Sequence, residues 1–163
     1  MGQTKKILVA MASTEYSRGI FDFAATLATG LEAQLIIVNI INSRDIDAVR
    51  QVADMGYAVD GDKYVAGIKD ARQQEIEAIL RHSTFPKTRI QTILRVGNPV
   101  EELIKIAMDE AVDMVVMGTK GRTDLQHILL GSVAEKMFRR SPVTIVSYRD
   151  AAQAEKLKKR FRF

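Results

Sequence analysis

Asp113-Met-Val-Val-Met-Gly-Thr-Lys-Gly121, followed after nine residues by Gly131-Ser-Val-Ala-Glu-Lys-Met-Phe138, is the stretch that decides how this chain is read. Its apolar opening, residues 112–117, reads as a buried strand. Residues 133–138 read as a helix that starts at Ser132. Gly118, Gly121 and Gly131 space the connection between them. A strand that runs through a glycine-spaced loop into a helix start presents backbone N–H groups to an anion such as phosphate.

The same alternation recurs on either side. Lys5-Lys-Ile-Leu-Val-Ala-Met11 is a short apolar run, expected to be a central strand buried on both faces. Ser13 and Thr14 are candidate caps for a helix carrying Ile20, Phe21, Ala24, Leu27, Ala28 and Leu31 at helical spacing, with Gly30 as its C-terminal cap. Residues 34–41 form a second strand, rich in β-branched side chains. Residues 42–61 are the least regular part, a solvated connection with room for a short helix around Ile46, Val49 and Val52. Its aspartates fit no calcium-loop spacing. Helix resumes near Tyr64 and ends at His82, where an imidazolium meets the negative end of the helix dipole. With no acid or nucleophile nearby, that role is read as structural.

A third strand covers residues 89–96. Asn98-Pro-Val-Glu101 then marks a helix start, with Asn as N-cap and Pro in the first position. Val100, Leu103, Ile104 and Ala107 are its expected inward face. The last strand runs from Pro142 to Ser147. This βαβαβαβαβ order predicts an α/β fold, a doubly wound five-stranded parallel sheet with helices on both faces. Ligands are then expected at the carboxyl ends of the strands. Residues 1–148 are expected to form one domain, and residues 149–163 a basic C-terminal tail.

Composition removes several functions. There is no cysteine, so thiolate metal sites, disulfides and cysteine nucleophiles are excluded. The apolar run after Lys5-Lys6 is too short for a signal peptide, and Lys6 stands where a myristoylation signal after Gly2 needs Ser or Thr. A cytoplasmic protein is the expectation. The net charge of +4 is carried by the tail, where residues 149–163 hold six basic and two acidic side chains, leaving 18 of each in residues 1–148. The body is therefore not read as a nucleic-acid binder. The tail, with Lys156, Lys158, Lys159, Arg160 and Arg162, is read as a solvated helix end rather than a contact for anionic lipid or RNA.

The loop spacing alone leaves two accounts open. It can hold phosphate, or it can be structural, with Ser132 and Glu135 forming a Ser-x-x-Glu capping box. A Walker loop is excluded because no Gly-Lys-Ser/Thr follows, and no Gly-x-Gly-x-x-Gly follows the first strand. Ile7-Leu-Val-Ala10, Val96-Gly-Asn-Pro-Val-Glu-Glu102, Asp113 to Gly121, Leu130-Gly-Ser-Val-Ala-Glu-Lys136 and Ser141-Pro-Val-Thr-Ile-Val146 together resemble a universal stress protein of the UspA type, in its ATP-binding branch. The resemblance covers nearly all of residues 4–148. It implies an adenine-nucleotide alpha-hydrolase-like fold with strand order 3-2-1-4-5, and homodimers joined through the last strand.

It also implies ATP, ADP or AMP as ligand, with Mg²⁺ a possible companion. The phosphates and ribose are then held by Gly118, Gly121, Gly131 and Ser132, with Val133 next in the helix start. Met117 lines the ribose side, and Ile40 and Ile41 occupy the adenine region. Lys120 and Arg122 either add charge near the phosphates or are solvated, and His127 is read as a surface residue. One position departs from the pattern. Ala12, beside Ser13, stands where ATP-binding members commonly carry Asp, so a nucleoside contact is missing; such a loss costs about 1–3 kcal/mol. No catalytic set is visible, and any ATP hydrolysis is expected to be slow. The alternative is a nucleotide-free dimeric interaction protein.

Overall fold

The structure, a computed structural model, describes residues 4–58, 60–119 and 130–161. Five strands, β1 (Lys6–Ala10), β2 (Gln34–Asn42), β3 (Ile90–Gly97), β4 (Met114–Gly118) and β5 (Thr144–Tyr148), form one parallel sheet. Its order is β3-β2-β1-β4-β5, as the resemblance implied. β1 lies at the centre, with Leu8 opposite Ile36 of β2 on one side and Val115 of β4 on the other. Successive side chains of a strand point to opposite faces, so a central strand covered on both sides needs an unbroken apolar run. Ile7, Leu8 and Val9 supply it and are fully buried. Each such aliphatic chain contributes about 1.5–3 kcal/mol.

The helices are α1 (Ser17–Gly30), α2 (Ser43–Asp54), α3 (Gly61–Arg81), α4 (Pro99–Asp109), α5 (Ser132–Arg140) and α6 (Ala151–Arg160). On one face of the sheet, Ile7, Val9, Leu35, Ile37 and Val116 pack with Ile20, Phe21 and Ala24 of α1 and Ile76 of α3. On the other, Leu8, Ile36, Val38 and Val115 pack with Leu103 and Ile106 of α4 and Ala134 and Met137 of α5. A Cβ on Gly19 would lie 2.6 Å from the Tyr148 hydroxyl, so the bare backbone lets the end of β5 close onto α1. Among the described residues no helix is long and apolar enough to cross a membrane.

The short helix expected around Ile46, Val49 and Val52 is present, and it runs from Ser43 to Asp54. The Asn42 side chain accepts from the Arg44 N–H and starts α2, whose Ile46 is buried. Several expectations need correction. Asp60 accepts from the Asp62 and Lys63 N–H groups, so α3 begins before Tyr64. α1 begins later than expected. Ser13 is turned to a left-handed φ of 51°, and Thr14 sits in a turn with Ser17, so neither is the N-cap. At its other end Gly30 is still helical, and the left-handed residue is Glu32, with φ 54°. In α4 the fully inward residue is Ile106 rather than Ile104. The tail contains α6, capped by Asp150, with no buried residue.

At the amino end of the sheet Asp113 accepts from the Lys5 and Lys6 N–H groups at 2.7 and 2.9 Å, clamping the entry of β1 to that of β4. The bond from Lys6, then that from Lys5, holds its carboxyl below the ordinary carboxylate range. A depressed folded value means stability present at neutral pH and lost as pH falls through that value. Asp113→Ala should cost about 1 kcal/mol near pH 7 in denaturant unfolding. The two proteins should converge in strong acid; a difference that persists there would contradict the clamp.

Candidate functional site

The carboxyl ends of β1, β2 and β4 open onto a cleft of about 330 Å³. It lies where the strand order reverses, with β2 on one side of β1 and β4 on the other. Connections leaving adjacent strands in opposite directions part there and leave a crevice.

On the β4 side the cleft is lined by Met117 and Gly118, and by Gly131, Ser132 and Val133 at the start of α5. Gly131 is the N-cap, with φ −68° and ψ 151°, and no side chain caps the helix. Its backbone is one that any residue adopts, so no unusual dihedral calls for glycine at this point. Ser132 is already helical, and the Ser132–Glu135 capping box does not form; Glu135 pairs instead with Arg139 at 3.0 Å. The Gly131 N–H is also taken, since it donates to the Thr119 carbonyl at 2.7 Å and ties the start of α5 to the end of β4. The amide expected to face an anion there is thus in use. The N–H groups of Ser132, Val133 and Ala134 precede the first intrahelical bond, from Glu135 to the Gly131 carbonyl at 2.9 Å. They have no partner among the described residues.

On the β1 side the Met11 N–H donates to the Val38 carbonyl at 2.9 Å, carrying the ladder past the end of the strand. Ala12 lines the cleft and offers only a methyl group. Ser13 stands behind it, its hydroxyl accepting from Asn39 Nδ2 at 3.0 Å. On the β2 side Ile40 lines the cleft together with Asn39 and Asn42. Asp45 of α2, Arg72 of α3, and Pro99 and Leu103 of α4 complete the wall. Arg72 is mostly buried and meets Glu75 at 3.4 Å.

Of the residues singled out in the sequence, Ala12, Ile40, Met117, Gly118, Gly131, Ser132 and Val133 therefore share one cleft, with Ser13 adjacent. Lys120, Gly121, Arg122 and His127 lie outside the described residues. Asn39, Asp45 and Arg72 were not anticipated. Asn39 had a signal, as the single polar residue inside the run from Leu35 to Ile41. Asp45 and Arg72 had none, because tertiary packing of α2 and α3 alone brings them to the cleft. Among the described residues no three His, Cys, Asp or Glu gather as a metal site.

Universal stress protein MJ0577 of Methanocaldococcus jannaschii is 29% identical over 158 residues, covering 90% of this chain and 97% of that protein. A universal stress protein of Methanothermobacter thermautotrophicus is 29% identical over 142 residues, covering 86% and 92%. The solved structure of MJ0577 superposes with a TM-score of 0.72 at 28% identity, over 92% of this chain and 100% of the other. A universal stress protein solved in complex with cAMP shares the fold, with a TM-score of 0.59 at 22% identity over 91% and 98%. The universal stress protein family matches residues 3–149, almost the whole chain, and this protein belongs to that family.

Proposed function

We propose that this universal stress protein binds an adenine nucleotide (ATP, ADP or AMP) in the cleft at the carboxyl ends of β1, β2 and β4, and acts in stress response or regulation. The observation that carries the reading is the start of α5. Three consecutive N–H groups, of Ser132, Val133 and Ala134, open there without a capping side chain beside a cleft of nucleotide size. Unpaired amides and the positive end of the helix dipole favour an anion at that point. The phosphates are placed on those amides, with Gly118 and Gly131 leaving room and Gly121 and Arg122 completing the loop. The nucleoside runs along Met117, Ala12, Ser13 and Ile40. A same-fold protein solved with cAMP is in keeping with an adenine nucleotide as ligand.

Mg²⁺ enters this reading only with the phosphates, because no acidic cluster among the described residues would hold it alone. Binding rather than turnover is the proposed activity. A cytoplasmic homodimer joined along Pro142 to Ser147 belongs to the same proposal, β5 being an edge of the sheet with half-buried Ile145 and Val146. So does the division into a body, residues 1–148, and a separate basic tail. Ala12 favours a second reading, a nucleotide-free dimeric interaction protein, because its methyl group accepts no hydrogen bond.

Acid extraction of the purified protein followed by anion-exchange chromatography, with calorimetric titration of ATP and Mg²⁺, separates the two. Bound adenylate or saturable heat is expected; neither would leave the second reading. Ser132→Pro tests the amides, because proline is tolerated in the first helical position and the ψ of Gly131 already suits a following proline. It should weaken ATP binding about tenfold or more while Ser132→Ala, which keeps the amide, stays close to wild type. Ala12→Asp should strengthen binding about tenfold by supplying an acceptor to the nucleoside. Unchanged affinity would place the nucleoside elsewhere.

A further inference from the structure

Asn39 lies inside β2, one residue beyond Val38, the partner of the last residue of β1; only 2% of its surface is exposed, and it lines the cleft. Its Nδ2 donates to the Met11 carbonyl at 2.7 Å and to the Ser13 hydroxyl at 3.0 Å. Those bonds fix which way the amide faces, because a carbonyl can only accept and a half-turn would set Oδ1 against it. Oδ1 is left buried with no hydrogen-bond partner among the described residues. Buried acceptors are nearly always paired, and one that is not seeks a donor. Thr14, Asn42, Arg72 and Ser132 line the same cleft and carry side-chain donors, yet none of them bonds Oδ1. The turn that covers it holds Ser13 at a left-handed φ of 51°, an unfavourable conformation for a residue with a side chain.

We propose that Asn39 is the specificity-determining acceptor of the cleft, its Oδ1 receiving a hydrogen bond from an N–H or O–H of the nucleoside while its Nδ2 keeps its bond to the Met11 carbonyl. The proposal rests on the nucleotide-binding reading and deepens it. Adenosine offers two kinds of donor, the exocyclic amine and the ribose hydroxyls. A buried acceptor that gains its only partner from the ligand discriminates strongly against an analogue lacking that partner, because the acceptor is then left unpaired. It would also answer the methyl group of Ala12, which accepts nothing.

The test is calorimetric titration of the full chain and of its Asn39→Leu variant with ATP and its 2′-deoxy, 3′-deoxy and 6-desamino (purine riboside) analogues. One analogue should bind wild type about tenfold more weakly than ATP. The same analogue should bind the variant as well as ATP does, and its identity tells the amine from the hydroxyls. If every analogue shifts equally in both proteins while ATP binds, Asn39 is not the acceptor and the nucleotide reading stands. If ATP does not bind wild type, both fall. Should Asn39→Leu fail to fold, the Asn39 side-chain amide resonances of wild type decide. They should move downfield with ATP and not with the analogue lacking the donor; identical spectra with all four ligands would overturn the proposal.

Discussion

The placement of β1 between β2 and β4 is the constraint on which everything else depends. β1 has neighbours on both edges and helices over both faces, and its middle, Ile7, Leu8 and Val9, is wholly apolar and buried. The polar groups that the ligand could meet therefore lie beyond the ends of β1, Asn39 standing one residue past Val38, the partner of Ala10. At the amino end the free backbone is closed by Asp113. At the carboxyl end the chain leaves β1 and β4 towards opposite faces of the sheet, and the cleft forms between those exits.

Among the described helices α1 and α5 start without a side-chain cap, and of the two α5 opens its first N–H groups beside the cleft. α2, α3, α4 and α6 each receive a side-chain cap, from Asn42, Asp60, Asn98 and Asp150. α5 receives none, although Ser132 and Glu135 are the residue types a capping box uses. A missing cap costs about 1 kcal/mol, a cost that a bound anion would offset. Asn39 presents the same pattern at the other side of the cleft, with its donor satisfied and its acceptor left over. Both unmet groups border one cavity.

Sheet order, both covered faces and the position of the cleft were legible in the sequence because they follow from apolar runs, crossover handedness and a resemblance carried by contiguous motifs. Asn98 and Pro99 gave their helix start for the same local reason. The failures share another cause. Ser13 and Thr14 have the chemistry of caps, yet a tertiary bond from Asn39 draws Ser13 into a turn. Residues 42–61 are mostly exposed, as a solvated connection is, and what the sequence hid was the cap that starts α2, the last residue of a strand. Asp45 and Arg72 reach the site through packing that spacing does not encode. The Gly131 amide was assigned to an anion, but the return of the loop onto β4 engages it first.

The central claim is that an adenine nucleotide sits with its phosphates on the open amides of α5. Titrating ATP into ¹⁵N-labelled full-length protein and following backbone amide resonances tests it most directly. Ser132, Val133 and Ala134 should shift furthest and saturate together with Ala12 and Ile40. Shifts confined to the basic helix α6, or none at the start of α5 at saturating ATP, would contradict the account.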